Sequence, residues 1–213
     1  MSRTKNILSL CISLLLAGTT IPATAAEFVV KSGMPFVIVQ PDKPLPVEKT
    51  AATELAAYIG KTTGASPQII AESDSNSRNG NAYIGQCAFT RSQAFYRKEL
   101  KSEEFQVAIA DGRLFIYGDD QNGKPFAANV CTGTLFGVYD FIEKELGVAW
   151  LWPGELGEDI PALREIKLKD FSRLDHPGFM IRSMMFGYSK YEPEKVNEEI
   201  SIWAKRMKLS WVK

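Results

Sequence analysis

Residues 132–161 read TGTLFGVYDFIEKELGVAWLWPGELGEDIP, and this stretch decides the fold. Leu135, Val138, Tyr139, Ile142 and Leu146 recur at helical spacing and make one apolar stripe. Asp140, Glu143 and Lys144 fall on the other side, where water can hold them. Thr132 suits the N-cap, and Gly147 suits the left-handed residue that closes a helix. Val148-Ala149-Trp150-Leu151-Trp152 is too apolar for a surface loop and reads as a short strand, which Pro153-Gly154 ends. The reading is a helix packed on a sheet.

Working back from that helix, Phe105–Ile109 and Arg113–Tyr117 flank Ala110-Asp111-Gly112, a strong hairpin signal. The acidic run Gly118–Gly123 lacks the spacing of a calcium loop and reads as a polar turn. Further upstream, Phe28-Val29-Val30 and Phe36–Val39 are two apolar runs separated by Gly33-Met34-Pro35, which predicts a second hairpin. Pro46 opens a helix that runs to about Thr63, with Val47, Ala51, Leu55, Tyr58, Ile59 and Thr62 on one face and Gly64 as its stop. Ile69-Ile70 and Ala82–Gly85 read as strands on either side of a Ser/Asn/Asp-rich loop. Arg91, Arg97, Lys98 and Lys101 form a basic run whose field Glu99, Glu103 and Glu104 cancel, so a solvated surface is expected. Glu165–Leu168 adds an edge strand. The predicted fold is α+β: a two-layer sandwich of a mostly antiparallel sheet with two helices on one face.

Arg3 and Lys5 precede an apolar run, Ile7–Ala17, and Ala23-Thr24-Ala25 supplies small residues for cleavage, so residues 1–26 read as a signal peptide. The protein is expected to be exported, to the periplasm or beyond, with no membrane segment after cleavage. The 187 residues that follow carry 23 basic and 25 acidic side chains, a balance of about −2 that argues against nucleic acid as a partner. Cys87 and Cys131 remain; one disulfide closing about 44 residues and two buried thiols both fit the sequence.

The order Gly133-x-Leu135-x-Gly137-Val138-Tyr139-Asp140-Phe141-x-Glu143, with Gly147, Trp150, Pro153-Gly154, Gly157-Glu158 and Ile160-Pro161, resembles the N-terminal domain of α-glucuronidases of glycoside hydrolase family 67. It also resembles the domain that precedes the barrel in β-N-acetylhexosaminidases. The segment AATELAAYIGKTTGASPQII (51–70) fits the same pattern of helix, turn and strand. The resemblance implies an accessory domain, residues 27–175, beside a sugar-cleaving barrel, with an oligosaccharide or polysaccharide (glucuronoxylan-derived chains among them) as partner. No cofactor and no particular oligomeric state follow from it.

His176-Pro177-Gly178 reads as a linker, Phe179–Phe186 as a strand, and a helix is predicted from about Pro193 with Val196, Ile200, Trp203, Ala204 and Met207 on one face. Residues 176–213 therefore read as the first β/α unit of an incomplete TIM-type barrel, since a whole barrel takes about 250 residues. The helix's apolar face is expected to want a partner. Pro177-x-Phe179-x-x-Arg182 resembles the barrel entry of these glycosidases, which implies Arg182 as a substrate-binding residue; an arginine paired with a carboxylate is the alternative. No catalytic residue is assigned. Glycoside hydrolysis needs a facing pair of carboxyl groups, and Glu192, Glu194, Glu198 and Glu199 fall at the start of a surface helix, where they favour its dipole. His176 stands alone without metal or triad partners. A free-standing carbohydrate-binding module is the other reading, with Trp150 and Trp152 as stacking residues.

Overall fold

The computed structural model describes residues 26–74, 76–184 and 194–211. The signal-peptide reading falls on residues outside these, as do Met185, Phe186 and Glu192. Ten strands and four helices follow one another as β1 (Phe28–Lys31), β2 (Phe36–Gln40), α1 (Pro46–Thr63), β3 (Pro67–Ala71), β4 (Ala82–Ile84), α2 (Ala88–Arg91), β5 (Phe105–Ala110), β6 (Arg113–Gly118), α3 (Gly133–Leu146), β7 (Ala149–Trp150), β8 (Glu158–Asp159), β9 (Glu165–Leu168), β10 (Phe171–Asp175) and α4 (Glu194–Arg206).

Six strands form the main sheet in the order β10-β5-β6-β4-β2-β3. Its β2, β3, β4 and β6 run parallel, while β5 and β10 are antiparallel additions. Two small antiparallel pairs, β1 with β9 and β7 with β8, complete the set, so four of the seven described ladders are antiparallel. The Asp111-Gly112 turn has both residues at positive φ, 51° and 69°, and joins β5 to β6 as expected.

The hairpin predicted at Gly33-Met34-Pro35 does not form. Strand β1 pairs with β9, and β2 inserts between β3 and β4. The reason lies in the runs themselves. Val37 and Val39 serve the opposite sheet face from Phe36 and Ile38, so β2 is apolar on both sides and fits a central parallel strand.

Side chains alternate cleanly across the sheet. Phe36, Ile38, Ala82, Ile84, Phe105, Val107, Leu114 and Ile116 point to the helices, where they join the apolar residues of α1 and α3 in one core. Val39, Tyr83 and Phe115 point the other way and are covered by Cys87 and Phe95 from the segment after β4. That segment is not wholly solvated, as its charges suggest: Phe95 and Phe89 pack on Phe115 while Arg91, Arg97, Lys98 and Lys101 stay outside. Glu103 and Glu104 are buried rather than free to cancel that basic run.

Helix α3 is buried on nearly every side from Gly133 to Ile142. Its close seat depends on glycine. A Cβ at Gly118, the last residue of β6, would lie 2.3 Å from the Gly133 carbonyl carbon and 2.4 Å from the Thr134 nitrogen. Both obstacles are backbone, which cannot rotate aside. Gly147 and Gly64 close α3 and α1 at φ 72°, as their positions predict.

Asp140 departs from the expected pattern. It is 1% exposed, because β10 brings Arg173 and the chain after α4 brings Lys208 over it. Arg173 Nη2 stands 2.9 Å and Lys144 Nζ 2.8 Å from its carboxylate.

Gly118→Ala is expected to destabilise the fold by about 3 kcal/mol through overpacking. Gly178→Ala, where no atom lies within 4 Å of the added carbon, should leave stability nearly unchanged. Urea unfolding of the two variants decides it; equal midpoints would remove the close approach as a constraint.

Candidate functional site

The segment after Pro177 folds back on the α/β layer and makes a seam with it. The fastening begins with Trp150, which β7 holds between Tyr58 of α1 and Tyr139 of α3, edge-on to both at 5.5 and 5.3 Å. Trp150 Nε1 donates to the Tyr58 hydroxyl at 2.8 Å, and Tyr58 donates in turn to Glu158 Oε1 at 2.5 Å. Trp203 of α4 donates to the Trp150 carbonyl at 2.9 Å. Arg206, at the end of α4, reaches Glu158 Oε1 at 2.8 Å and Glu54 Oε2 at 3.3 Å, with its guanidinium over the Tyr58 and Trp150 rings.

The charges of this cluster are matched. Burial works against the Glu158 carboxylate, yet Lys61, Tyr58 and Arg206 together hold its pKa below the usual range. Burial, with Glu158 adding to it, pushes the Tyr58 phenol far up, so it stays a neutral donor. The apolar face predicted for α4 is thus partly covered. Trp203 joins the main core, while Ile200 and Ala204 line a cavity of about 200 Å³ with Arg182, Met184 and Trp211.

Arg182 sits on the wall of that cavity with its guanidinium engaged. Nη2 binds Glu103 Oε2 at 2.6 Å, Nε donates to the Lys208 carbonyl at 2.6 Å, and Nη1 donates to the Phe179 carbonyl. Its backbone exchanges two hydrogen bonds with Ser210, the one bridge described within the strand expected over 179–186. A strand needs neighbours to form a ladder, and up to Met184 this stretch has Ser210 alone. Beside it, Lys205 is buried and donates to the Val130 carbonyl at 2.9 Å; burial brings its pKa down to about 8.

At the carboxyl ends of the parallel strands lies a second, polar crevice of about 160 Å³, lined by Glu48, Gln86, Lys98, Asp119 and Asp120. Glu48 accepts from Leu45 N at 2.8 Å, closing the first turn of α1, and its other oxygen accepts from Gln86 N at 2.8 Å. Gly85, at φ 88°, makes room, since a Cβ there would stand 2.4 Å from Glu48 Oε1. Asp120 caps α3 from outside the helix: it accepts from Thr134 N at 2.9 Å and from the Thr134 hydroxyl at 2.5 Å. Thr132 holds the N-cap place without a side-chain bond. The loop is a polar turn exposed at Gln121 and Asn122, and it also turns the Asp120 carboxyl inward as a cap, where burial raises its pKa to about 7 against the pull of Thr134.

The cysteines are free, and each is buried in its own surroundings. Cys87 Sγ lies 3.7 Å from the Val39 carbonyl, on the sheet face away from the helices. Cys131 Sγ lies 3.1 Å from Asp119 Oδ2, ahead of α3. Burial pushes both thiols up to about 12, helped at Cys131 by Asp119 and at Cys87 by Glu72. The disulfide does not form, because the two residues serve different layers. Among the described residues no group of three His, Cys, Asp or Glu side chains is placed to hold a metal ion.

No protein-family model matches the chain, and no curated protein matches its sequence. Its structure is similar to that of a family GH115 4-O-methyl-α-glucuronidase with specificity for decorated arabinogalactans, at TM-score 0.64 and 22% identity over 85% of this chain and 25% of that one. A Streptomyces plicatus β-hexosaminidase aligns at TM-score 0.45 and 13% identity, over 75% of this chain and 25% of the other. A Vibrio harveyi GH20 exo-β-N-acetylglucosaminidase aligns at 0.40 and 12%, over 75% and 18%. Only the first is close enough to bear on the fold. The likeness is one of fold, shared with part of that enzyme. The chain spans about a quarter of the length of that relative, and the family 67 resemblance narrows to this shared domain fold.

The residues that sequence reading missed are Glu54, Glu103, Asp120, Glu158 and Arg206. Their roles depend on partners about 14 to 152 positions away, a separation no local spacing reveals. Gly157-Glu158 belongs to the glycine-rich motif that follows α3, which is the local signal for Glu158.

Removing Arg206 leaves Glu158 to Lys61 and Tyr58 and Glu54 to the Tyr139 hydroxyl, without the cation that joined them, at a cost of about 3 kcal/mol. Arg206→Ala should raise amide exchange across Glu194–Arg206 at least tenfold while β4 and β6 stay protected. Unchanged exchange in α4 would refute the latch. Asp120 titrates with its folded pKa above the ordinary 3.8, so its contribution is present at low pH and is lost as pH rises towards about 7. Asp120→Asn should therefore gain thermal stability relative to the parent protein between pH 4 and 7; a constant difference would contradict a buried neutral Asp120.

Proposed function

We propose that this chain supplies the non-catalytic N-terminal domain, residues 27–175, of an exported glycoside-hydrolase-like protein that acts in polysaccharide breakdown. Residues 176–213 lead into the catalytic barrel, and export by cleavage after Ala26 delivers the domain to the periplasm or beyond. Glucuronic-acid-decorated polysaccharides are the substrate class that the solved glucuronidase suggests.

The observation that carries the reading is the latched α4. Its ion pairs hold the C-terminal segment against the domain while Phe179, Met180, Ile181 and Trp211 face outward, a surface suited to a following domain. Arg182, in this reading, positions that segment through Glu103 rather than waiting for a sugar. The carboxylates support the same assignment. Glu48 and Asp120 cap helices, Asp140 and Glu158 bind cations, and Glu103 holds Arg182. A hydrolytic pair needs one carboxyl group ready to give a proton and a second facing the same bond.

Expressed with its leader in a bacterial host, the chain should be recovered from the exported fraction with Glu27 as its first residue by intact mass. That material should release no sugar from glucuronoxylan or decorated arabinogalactan. Hydrolysis by this chain would overturn the accessory role, and a cytoplasmic chain retaining residues 1–26 would overturn export.

A further inference from the structure

On the sheet face away from α1, α3 and α4 lies a cavity of about 380 Å³, within the range of small-molecule sites. Val39, Tyr83 and Cys87 form its apolar floor. Tyr83 is stacked on Phe115 at 5.2 Å and 12°, and its hydroxyl donates to the Ser77 carbonyl at 2.7 Å, so the floor is rigid. Phe89 forms a wall, tilted against Tyr83 at 4.9 Å and 40% exposed. An aromatic side chain held this firmly yet left open offers an apolar surface at little entropic cost.

The polar groups are as specific. Arg113 and Arg78 both line the cavity, and among the described residues neither guanidinium has a carboxylate partner. Arg113 instead lies 5.5 Å from the Phe89 ring centre, which fixes it beside the aromatic wall. Glu72 supplies one carboxylate. Its Oε2 accepts from Ala88 N at 2.6 Å, and its other oxygen has no partner among the described residues. The cavity thus offers two guanidinium forks, one carboxylate acceptor, the Ser77 hydroxyl and an aromatic wall.

From this juxtaposition we infer that the cavity binds a sugar ring bearing a carboxylate. The apolar face of a pyranose lies against Phe89, its carboxylate takes the guanidinium forks, and ring hydroxyls donate to the open oxygen of Glu72. A neutral ring leaves the guanidinium groups unused. A bare inorganic anion leaves Phe89 unused. The Cys87 thiol, pushed up to about 12 by burial and by the Glu72 and Glu48 charges, is a neutral part of the floor. The site is separate from the seam at α4 and does not depend on the accessory-domain reading.

The test is titration of the full chain with methyl glucopyranosiduronate, methyl glucopyranoside and sodium sulfate, followed by amide NMR shifts. The uronide should shift Ser77, Ala88 and Arg113 and bind at least tenfold more tightly than the neutral glycoside or sulfate. Arg113→Gln should weaken it about tenfold. Arg78→Gln, at an exposed position where folding is not at risk, should weaken it as well, and Arg182→Gln should not. Equal binding of sulfate would reduce the site to an anion hole and overturn the sugar assignment. Equal binding of the neutral glycoside, or no shifts with the uronide, would also overturn it. None of these outcomes bears on whether the chain hydrolyses polysaccharide.

Discussion

The rest of the structure depends on how closely the start of α3 approaches the end of β6. Gly118 and Gly133 meet backbone to backbone, and Gly137 continues the contact against Ile116 and Phe105. At that distance the first turn of the helix sits directly against the end of the strand. The Asp119–Asp120 loop then folds over the first turn, with Gly133 N donating to the Asp119 carbonyl at 2.9 Å. From there α3 is wrapped by α1 on one side and by β10 and α4 on others. A helix set one side chain higher would leave Asp120 short of Thr134 and Trp150 short of Tyr139.

Enclosure explains why the interior holds so much charge. A helix buried on nearly every side still brings Asp140 and its own first-turn amides inside, and each must find a partner. Arg173, Lys144 and Lys208 meet Asp140, and the Asp120 carboxyl meets Thr134. Glu158 and Glu54 do the same for Arg206 at the seam. These carboxylates are architectural. Each is taken up by a cap or an ion pair.

Local chemistry was legible in the sequence and long-range partnership was not. Gly64 and Gly147 announced two helix ends, Asp111-Gly112 announced one hairpin, and the apolar stripe of α3 named five core residues, all buried. Two layers with both helices on one sheet face followed from those signals. Gly33-Met34-Pro35 misled because a turn sequence does not reveal which strands its flanks will join; β1 found β9 some 138 positions later. Asp140 misled for a related reason. Its place on the helical wheel was read correctly, but Arg173 and Lys208 arrive from elements with no local tie to α3. Arg182 was identifiable by motif, while Glu103, its partner at φ 59°, was not.

The two faces of the sheet have been closed by different means, and the difference bears on function. The helical face is closed by matched ion pairs and large aromatic rings, with a cavity of about 200 Å³ left beside Arg182. The other face is covered by shorter pieces, residues 77–80 and the segment after β4, in which Cys87 and Phe95 pack against the sheet and Phe89 remains open. Short covers cannot fill the area that two helices fill, and a cavity remains beside Arg78 and Arg113, which have no carboxylate partner among the described residues. The proposed ligand site falls on this thinly covered face, and the proposed docking surface lies at the α4 seam.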